Sequence, residues 1–120
     1  MTAAVEYVPE RGDAVWVDLE PSIGHEQGGR RPVIVLSPAR ANDITDLAVI
    51  CPVTSRVKGY PFEVELPLGL PVHGAVLVNQ IKTIDWRARR IEYIAALPKA
   101  LVDRVSRRLA KLILPGFSTP

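Results

Sequence analysis

Apolar residues recur along this chain in short runs, each bounded by glycine, proline or clustered charge. After Gly12, residues 13–19 place Val15, Val17 and Leu19 in alternation with Ala14, Trp16 and Asp18, the period of two expected of a strand with one buried face. Residues 32–36 predict a second strand, with Pro32 at a first position where no ladder donor is yet needed. The polar run 40–46 reads as a loop. Residues 47–53 are almost wholly apolar and predict a buried third strand that ends at Thr54-Ser55. In residues 62–66, Phe62, Val64 and Leu66 alternate with Glu63 and Glu65, a fourth strand whose phase puts Phe62 in the core. Residues 75–78 and 90–95 predict a fifth and a sixth. Short strands at this spacing indicate a mainly β fold, a small antiparallel barrel or curled sheet, rather than a βαβ arrangement.

The pattern changes period once. Over residues 98–114, Leu101, Val102, Val105, Leu109, Leu112 and Ile113 share one helical face, while Arg104, Arg107, Arg108 and Lys111 occupy the other. Pro98 suits a first turn and Pro115-Gly116 a stop. The start offers no Ser, Thr or Asp cap and places Lys99 against the helix dipole, so packing has to hold this helix. Its basic face either is solvated or meets a polyanion.

Composition narrows the picture modestly. A chain of 120 residues with 48% hydrophobic and 23% charged residues suits one folded domain. The formal charge of +2 permits a polyanionic partner without requiring one. A single cysteine, Cys51, rules out an intrachain disulfide and is expected in the core. His25 and His73 lack ligand-like spacing, so no metal site and no cofactor are expected. The N-terminal stretch does not resemble a signal peptide. No apolar run approaches the roughly 20 residues that span a bilayer. A cytoplasmic location is the expectation.

The candidate chemistry begins in "GHEQGGRRPVIVLS", residues 24–37. Glycines around His25, Glu26 and Gln27 allow positive φ and close approach of a ligand. Arg31, directly before Pro32, is biased to extended backbone, so its planar set of donors leaves a defined strand start and matches phosphate oxygens. Glu26 and His25 carry exchangeable protons, and Gln27 can orient a base or ribose. The plain alternative is a loop whose Glu and Arg pair with each other. A second cluster follows the third strand: "CPVTS" and then Arg56, Lys58, Tyr60 and Phe62. Cations beside aromatic rings suit single-stranded nucleic acid, which needs charge for its backbone and ring faces for its bases.

Three blocks in register, "GDAVWVDLEPSIGHEQGGRRPVIVLSP", "PVTSRVKGYPFEVEL" and "VNQIKTIDWRAR", closely resemble the MazF/PemK toxins of bacterial toxin–antitoxin systems. The resemblance covers the chain from about Tyr7 to the last helix. It implies an SH3-like small barrel in a single domain, a homodimer, and a metal-independent endoribonuclease that cuts single-stranded RNA, mRNA included, and is neutralised by a MazE-like antitoxin. It also implies attack of a ribose 2′-hydroxyl on the adjacent phosphorus, leaving a 2′,3′-cyclic phosphate and a 5′-hydroxyl. The family's catalytic arginine and threonine fall on Arg31 and Thr54. A guanidinium parts with its proton reluctantly, so Arg31 suits phosphate holding better than proton abstraction. Thr54 would donate to a non-bridging oxygen, with Glu26 as a supporting proton acceptor. His25, Gln27, Arg56, Lys58, Gln80 and Lys82 are the expected RNA contacts.

Two positions depart from the family pattern. His25 stands where serine is common, and its imidazole either enters catalysis or lines the groove. Asn79 replaces an aspartate before Gln80, which bears on base selection more than on cleavage. Trp86 is expected to fill a hydrophobic corner, His73 to lie on the surface, and Trp16 to be covered by the helix or a partner subunit. Two rival readings remain: a CcdB-like gyrase-binding toxin, which shares the barrel without cutting RNA, and a non-cleaving RNA-binding relative. A phosphate-directed Arg/Thr pair beside a glycine loop favours the nuclease.

Overall fold

The computed structural model describes residues 6–116. Seven strands and two helices follow one another as β1 (Asp13–Asp18), β2 (Arg30–Val35), α1 (Ala39–Thr45), β3 (Leu47–Thr54), β4 (Glu63–Glu65), β5 (Ala75–Leu77), β6 (Lys82–Asp85), β7 (Glu92–Ala96) and α2 (Lys99–Ile113), with a 3-10 turn at Val78–Gln80 between β5 and β6. Every pairing is antiparallel, in the order β4-β5-β3-β2-β1-β7, and β6 joins β3 as well. The mainly β class with a C-terminal helix agrees with the sequence reading. Among the described residues the curled sheet does not close into a ring, because β4 and β7 remain unpaired with each other.

β3 is the hub, and length is what makes it one. Its residues 47–50 pair with β6, residues 50–52 with β2, and Val53 and Thr54 with β5. Successive strand side chains point to opposite faces, and in β1, β2 and β3 both faces are covered. Ala14, Ile34, Cys51 and Val53 enter a core with Leu101, Val102 and Val105 of α2. Val15, Val17, Val33, Val35 and Ile50 enter a second core with Ile84 and Trp86. Double burial accounts for the near-continuous apolar runs in β2 and β3. Cys51 is fully buried, and desolvation pushes its thiol up to about 12.

Several expectations need correction. The polar run 40–46 is helix α1 rather than a loop, and it is held by a buried polar residue. The Asn42 amide donates to the Pro9 and Ser37 carbonyls at 2.8 and 2.9 Å, and the Asn42 carbonyl accepts from the Trp86 indole at 2.9 Å. Trp86 thus fills a corner, as expected. β6 carries one buried residue, Ile84, too few to reveal a strand by pattern. Trp16 is not covered by α2; it is part-exposed, with the Arg30 guanidinium 5.2 Å from its ring. On α2, Leu101, Val102 and Val105 are buried, but Leu112 and Ile113 are more than half exposed. Phe62 is half-buried, and the side chain buried on the opposite phase of β4 is Glu63.

Candidate functional site

Arg31 is the second residue of β2, and the β2–β3 register runs Val33 to Pro52, Ile34 to Cys51 and Val35 to Ile50. Continued by two residues, that register sets Arg31 opposite Thr54, and directly opposed residues of an antiparallel pair present their side chains on the same face. Two anchors fix the guanidinium: Nε donates to the Gly28 carbonyl at 2.8 Å and Nη1 to the Val53 carbonyl at 3.2 Å. Among the described residues Nη2 makes no hydrogen bond and no carboxylate pairs with Arg31. Thr54 is buried, and its Oγ1 accepts from the Arg56 amide at 3.1 Å, which leaves the hydroxyl proton to be donated elsewhere. The two side chains form the floor of a cleft of about 610 Å³.

One wall is the loop between β1 and β2. A capped turn shapes it: the Glu20 carboxylate accepts from the amides of Ser22 at 3.1 Å and Gly29 at 2.7 Å. A side chain on Gly28 would begin against the Ser22 hydroxyl and the Glu20 carboxylate, so a larger residue there would have to displace the side chains that shape the turn. His25 and Gln27 of this wall line the cleft. Glu26 does not; it is exposed, and its carboxylate accepts from the Ile23 amide at 2.9 Å. Gln80 reaches across from the 3-10 turn to the same loop, with its Oε1 2.8 Å from the Gln27 amide.

The facing wall is the segment between β3 and β4. The buried Glu63 carboxylate accepts from the amides of Lys58 at 3.0 Å and Gly59 at 2.8 Å, which folds Arg56, Lys58 and Tyr60 along the opening. The Lys58 ammonium lies 5.9 Å from the Tyr60 ring, and the Tyr60 and Phe62 rings are 5.2 Å apart. Cationic groups and adjacent ring faces therefore run together beside the floor, as a single-stranded polyanion requires.

Of the residues singled out from the sequence, the fold brings His25, Gln27, Arg31, Thr54, Arg56, Lys58 and Gln80 to one cleft. Glu26 and Lys82 fall outside its lining. Glu63, Ser55 and Leu77 line it without having been singled out. A carboxylate in the alternating phase of a strand reads as surface, so the pattern gave no signal for Glu63. Among the described residues no three His, Cys, Asp or Glu side chains are arranged to hold a metal ion.

Comparison with known proteins places the fold in a family. The family described as PemK-like, MazF-like toxin of type II toxin-antitoxin system matches residues 10–113. The endoribonuclease toxin MazF of Escherichia coli K12 is 49% identical over 83 residues, 69% of this chain and 74% of its own length. The endoribonuclease PemK of Escherichia coli is 36% identical over 109 residues, covering 87% of this chain and 81% of PemK. The crystal structure of MazF from Deinococcus radiodurans superposes with a TM-score of 0.86 at 51% identity, over 90% of this chain and 98% of that one. A MazE–MazF crystal structure from the same organism gives 0.82 at 50% identity, over 94% and 100%. The agreement runs from the residues before β1 to the end of α2, and the chain belongs to the PemK-like, MazF-like toxins of type II toxin–antitoxin systems.

Proposed function

We propose that this MazF-like endoribonuclease toxin cuts single-stranded RNA by attack of a ribose 2′-hydroxyl on the adjacent phosphorus. The observation that carries the reading is the floor of the cleft, lined together by Thr54 and by Arg31, whose guanidinium is anchored on the Val53 carbonyl. In the reaction a 2′-oxygen to phosphorus bond forms, the bond to the leaving 5′-oxygen breaks, and a 2′,3′-cyclic phosphate and a 5′-hydroxyl result. Negative charge accumulates on the non-bridging oxygens. The unpaired face of the Arg31 guanidinium and the Thr54 hydroxyl proton are pre-aimed donors for it, the arrangement that contributes most to such catalysis. Arg56 and Lys58 hold the phosphates on either side, with Tyr60 and Phe62 as stacking surfaces. Lys82, outside the lining, is left to more distant phosphates.

Glu26 is the proton acceptor this reading assigns to the 2′-hydroxyl. To act it exchanges the Ile23 amide for that hydroxyl, a local turn of a loop already rich in glycine. The Deinococcus MazF occurs in crystals with MazE, and this chain is assigned a MazE-like antitoxin, a homodimeric state and a cytoplasmic setting on that likeness. The described residues contain no helix long and apolar enough to cross a membrane.

The test is to incubate the purified chain, in EDTA, with a long single-stranded RNA and to map the 5′ ends. Discrete cuts bearing 5′-hydroxyls, absent with Thr54→Ala, are expected. Intact RNA from a folded, antitoxin-free chain sinks the nuclease reading and leaves the gyrase-binding alternative to be tested next.

A further inference from the structure

Gln80 lies in the cleft, yet both ends of its amide are already committed. Its Oε1 accepts from the Gln27 amide at 2.8 Å, and its Nε2 donates to the His25 carbonyl at 3.3 Å. A primary amide is the one neutral side chain that offers an acceptor and a donor side by side, which is what a backbone N–H and a C=O two residues apart demand. The partners lie more than fifty positions away in sequence. Among the described residues, the other side chain from outside the loop that hydrogen-bonds residues 23–28 is that of Arg31, at the start of β2.

The base of this contact is anchored in the core. Val78 opens the 3-10 turn fully buried, and its amide donates to the Phe62 carbonyl at 3.1 Å. The far side of the contact leads to the chemistry. The held loop ends at Gly28, whose carbonyl receives Arg31 Nε at 2.8 Å. A hydrogen-bonded path thus runs from a core-anchored turn, through Gln80 and the loop backbone, to the guanidinium on the cleft floor.

We propose that Gln80 is a positioning residue rather than a base-contacting one: it clamps the β1–β2 loop and thereby sets where Arg31 and His25 stand against the scissile phosphate. The proposal rests on the nuclease reading above. It separates turnover from binding, because displacing a catalytic group by about 1 Å costs on the order of 100-fold in rate with little effect on affinity.

The experiment compares wild type, Gln80→Ala and Gln80→Glu on a defined RNA and on the same RNA with a 2′-deoxy residue at the cut. Circular dichroism and melting check the fold, and hydrogen exchange is followed at the Gln27 amide. Gln80→Ala is expected to lower kcat by about 10- to 100-fold, with KM and the Kd for the deoxy analogue within about threefold and the same cut sites. The Gln27 amide should lose protection. Gln80→Glu keeps the acceptor for that amide and loses the donor to His25, so it should retain protection and recover part of kcat. Wild-type kcat in Gln80→Ala overturns the proposal, as does a raised Kd with altered cut sites and an unchanged Gln27 amide. Wild-type protein that cuts no RNA defeats the nuclease reading instead. The exchange measurement then decides the clamp alone, upheld by lost protection in Gln80→Ala and refuted by its persistence.

Discussion

Arg31 does two things with one side chain. Nε and Nη1 are spent on carbonyls of the fold, and the remaining edge is the one the proposed mechanism turns to substrate. Lysine at this position keeps the charge but has no fork to divide between anchoring and binding. Arg31→Lys is therefore expected to lower kcat/KM by at least about 100-fold, the usual cost of losing a pre-aimed donor to a developing oxyanion. Affinity for a 2′-deoxy analogue, measured by fluorescence anisotropy, should change little. Retention of more than a tenth of wild-type turnover would show that charge alone suffices. Asn42 is the structural counterpart: four hydrogen bonds through one side chain and its own carbonyl tie α1 to Pro9 before β1, to Ser37 after β2 and to Trp86.

At the scale of elements, the floor depends on how closely β5 approaches β3. Gly74, directly before β5, has φ of 110°, and a Cβ there would stand 1.9 Å from the Thr54 carbonyl oxygen. No side-chain rotation relieves a clash with backbone. Gly74→Ala should cost about 2–4 kcal/mol in urea unfolding and, where folded protein is recovered, abolish cleavage by moving the Thr54 peptide. An alanine variant of wild-type stability would mean that β5 can slide without disturbing Thr54. Elements are also where sequence reading succeeded and failed for identifiable reasons. β1, β2, β3, β5 and α2 announce themselves because burial on one or both faces leaves apolar periodicity. α1 does not, because the group it buries is an amide. β6 has one buried residue, and Leu112 and Ile113 are apolar without being buried. At the candidate site, motif resemblance singled out Arg31 and Thr54, and the fold places both in one cleft. Periodicity says nothing about which way a loop side chain turns, so the placement of Glu26 away from the cleft and the commitment of Gln80 to the loop show only in the folded chain.

For the whole molecule, a formal charge of only +2 conceals an uneven distribution. Arg87 is surrounded by Glu6, Asp43 and Asp46, and Arg11 is paired with Asp103. Arg56 and Lys58 line the cleft and have no carboxylate within ion-pair distance among the described residues. RNA affinity should therefore fall steeply with salt. Alanine at Arg56 or at Lys58 should each reduce the slope of log affinity against log salt by about 0.7, the value for one phosphate contact on a single strand. Arg40→Ala, on the exposed surface of α1, should leave it unchanged. Equal slopes in all three variants would place the RNA elsewhere.

The two walls of the cleft are held by separate hands, one by Glu20 and Gln80, the other by Glu63. Thr54 is tied to the second wall through a backbone amide, that of Arg56 to its Oγ1, which a change of side chain leaves in place. The segment 55–61 can accordingly be rewritten as a reading head, with Glu63 and Gly59 retained as its hinge pins, while the cutting edge beneath it stays the same. On the proposed mechanism, a toxin built this way is a fixed blade with an exchangeable guide.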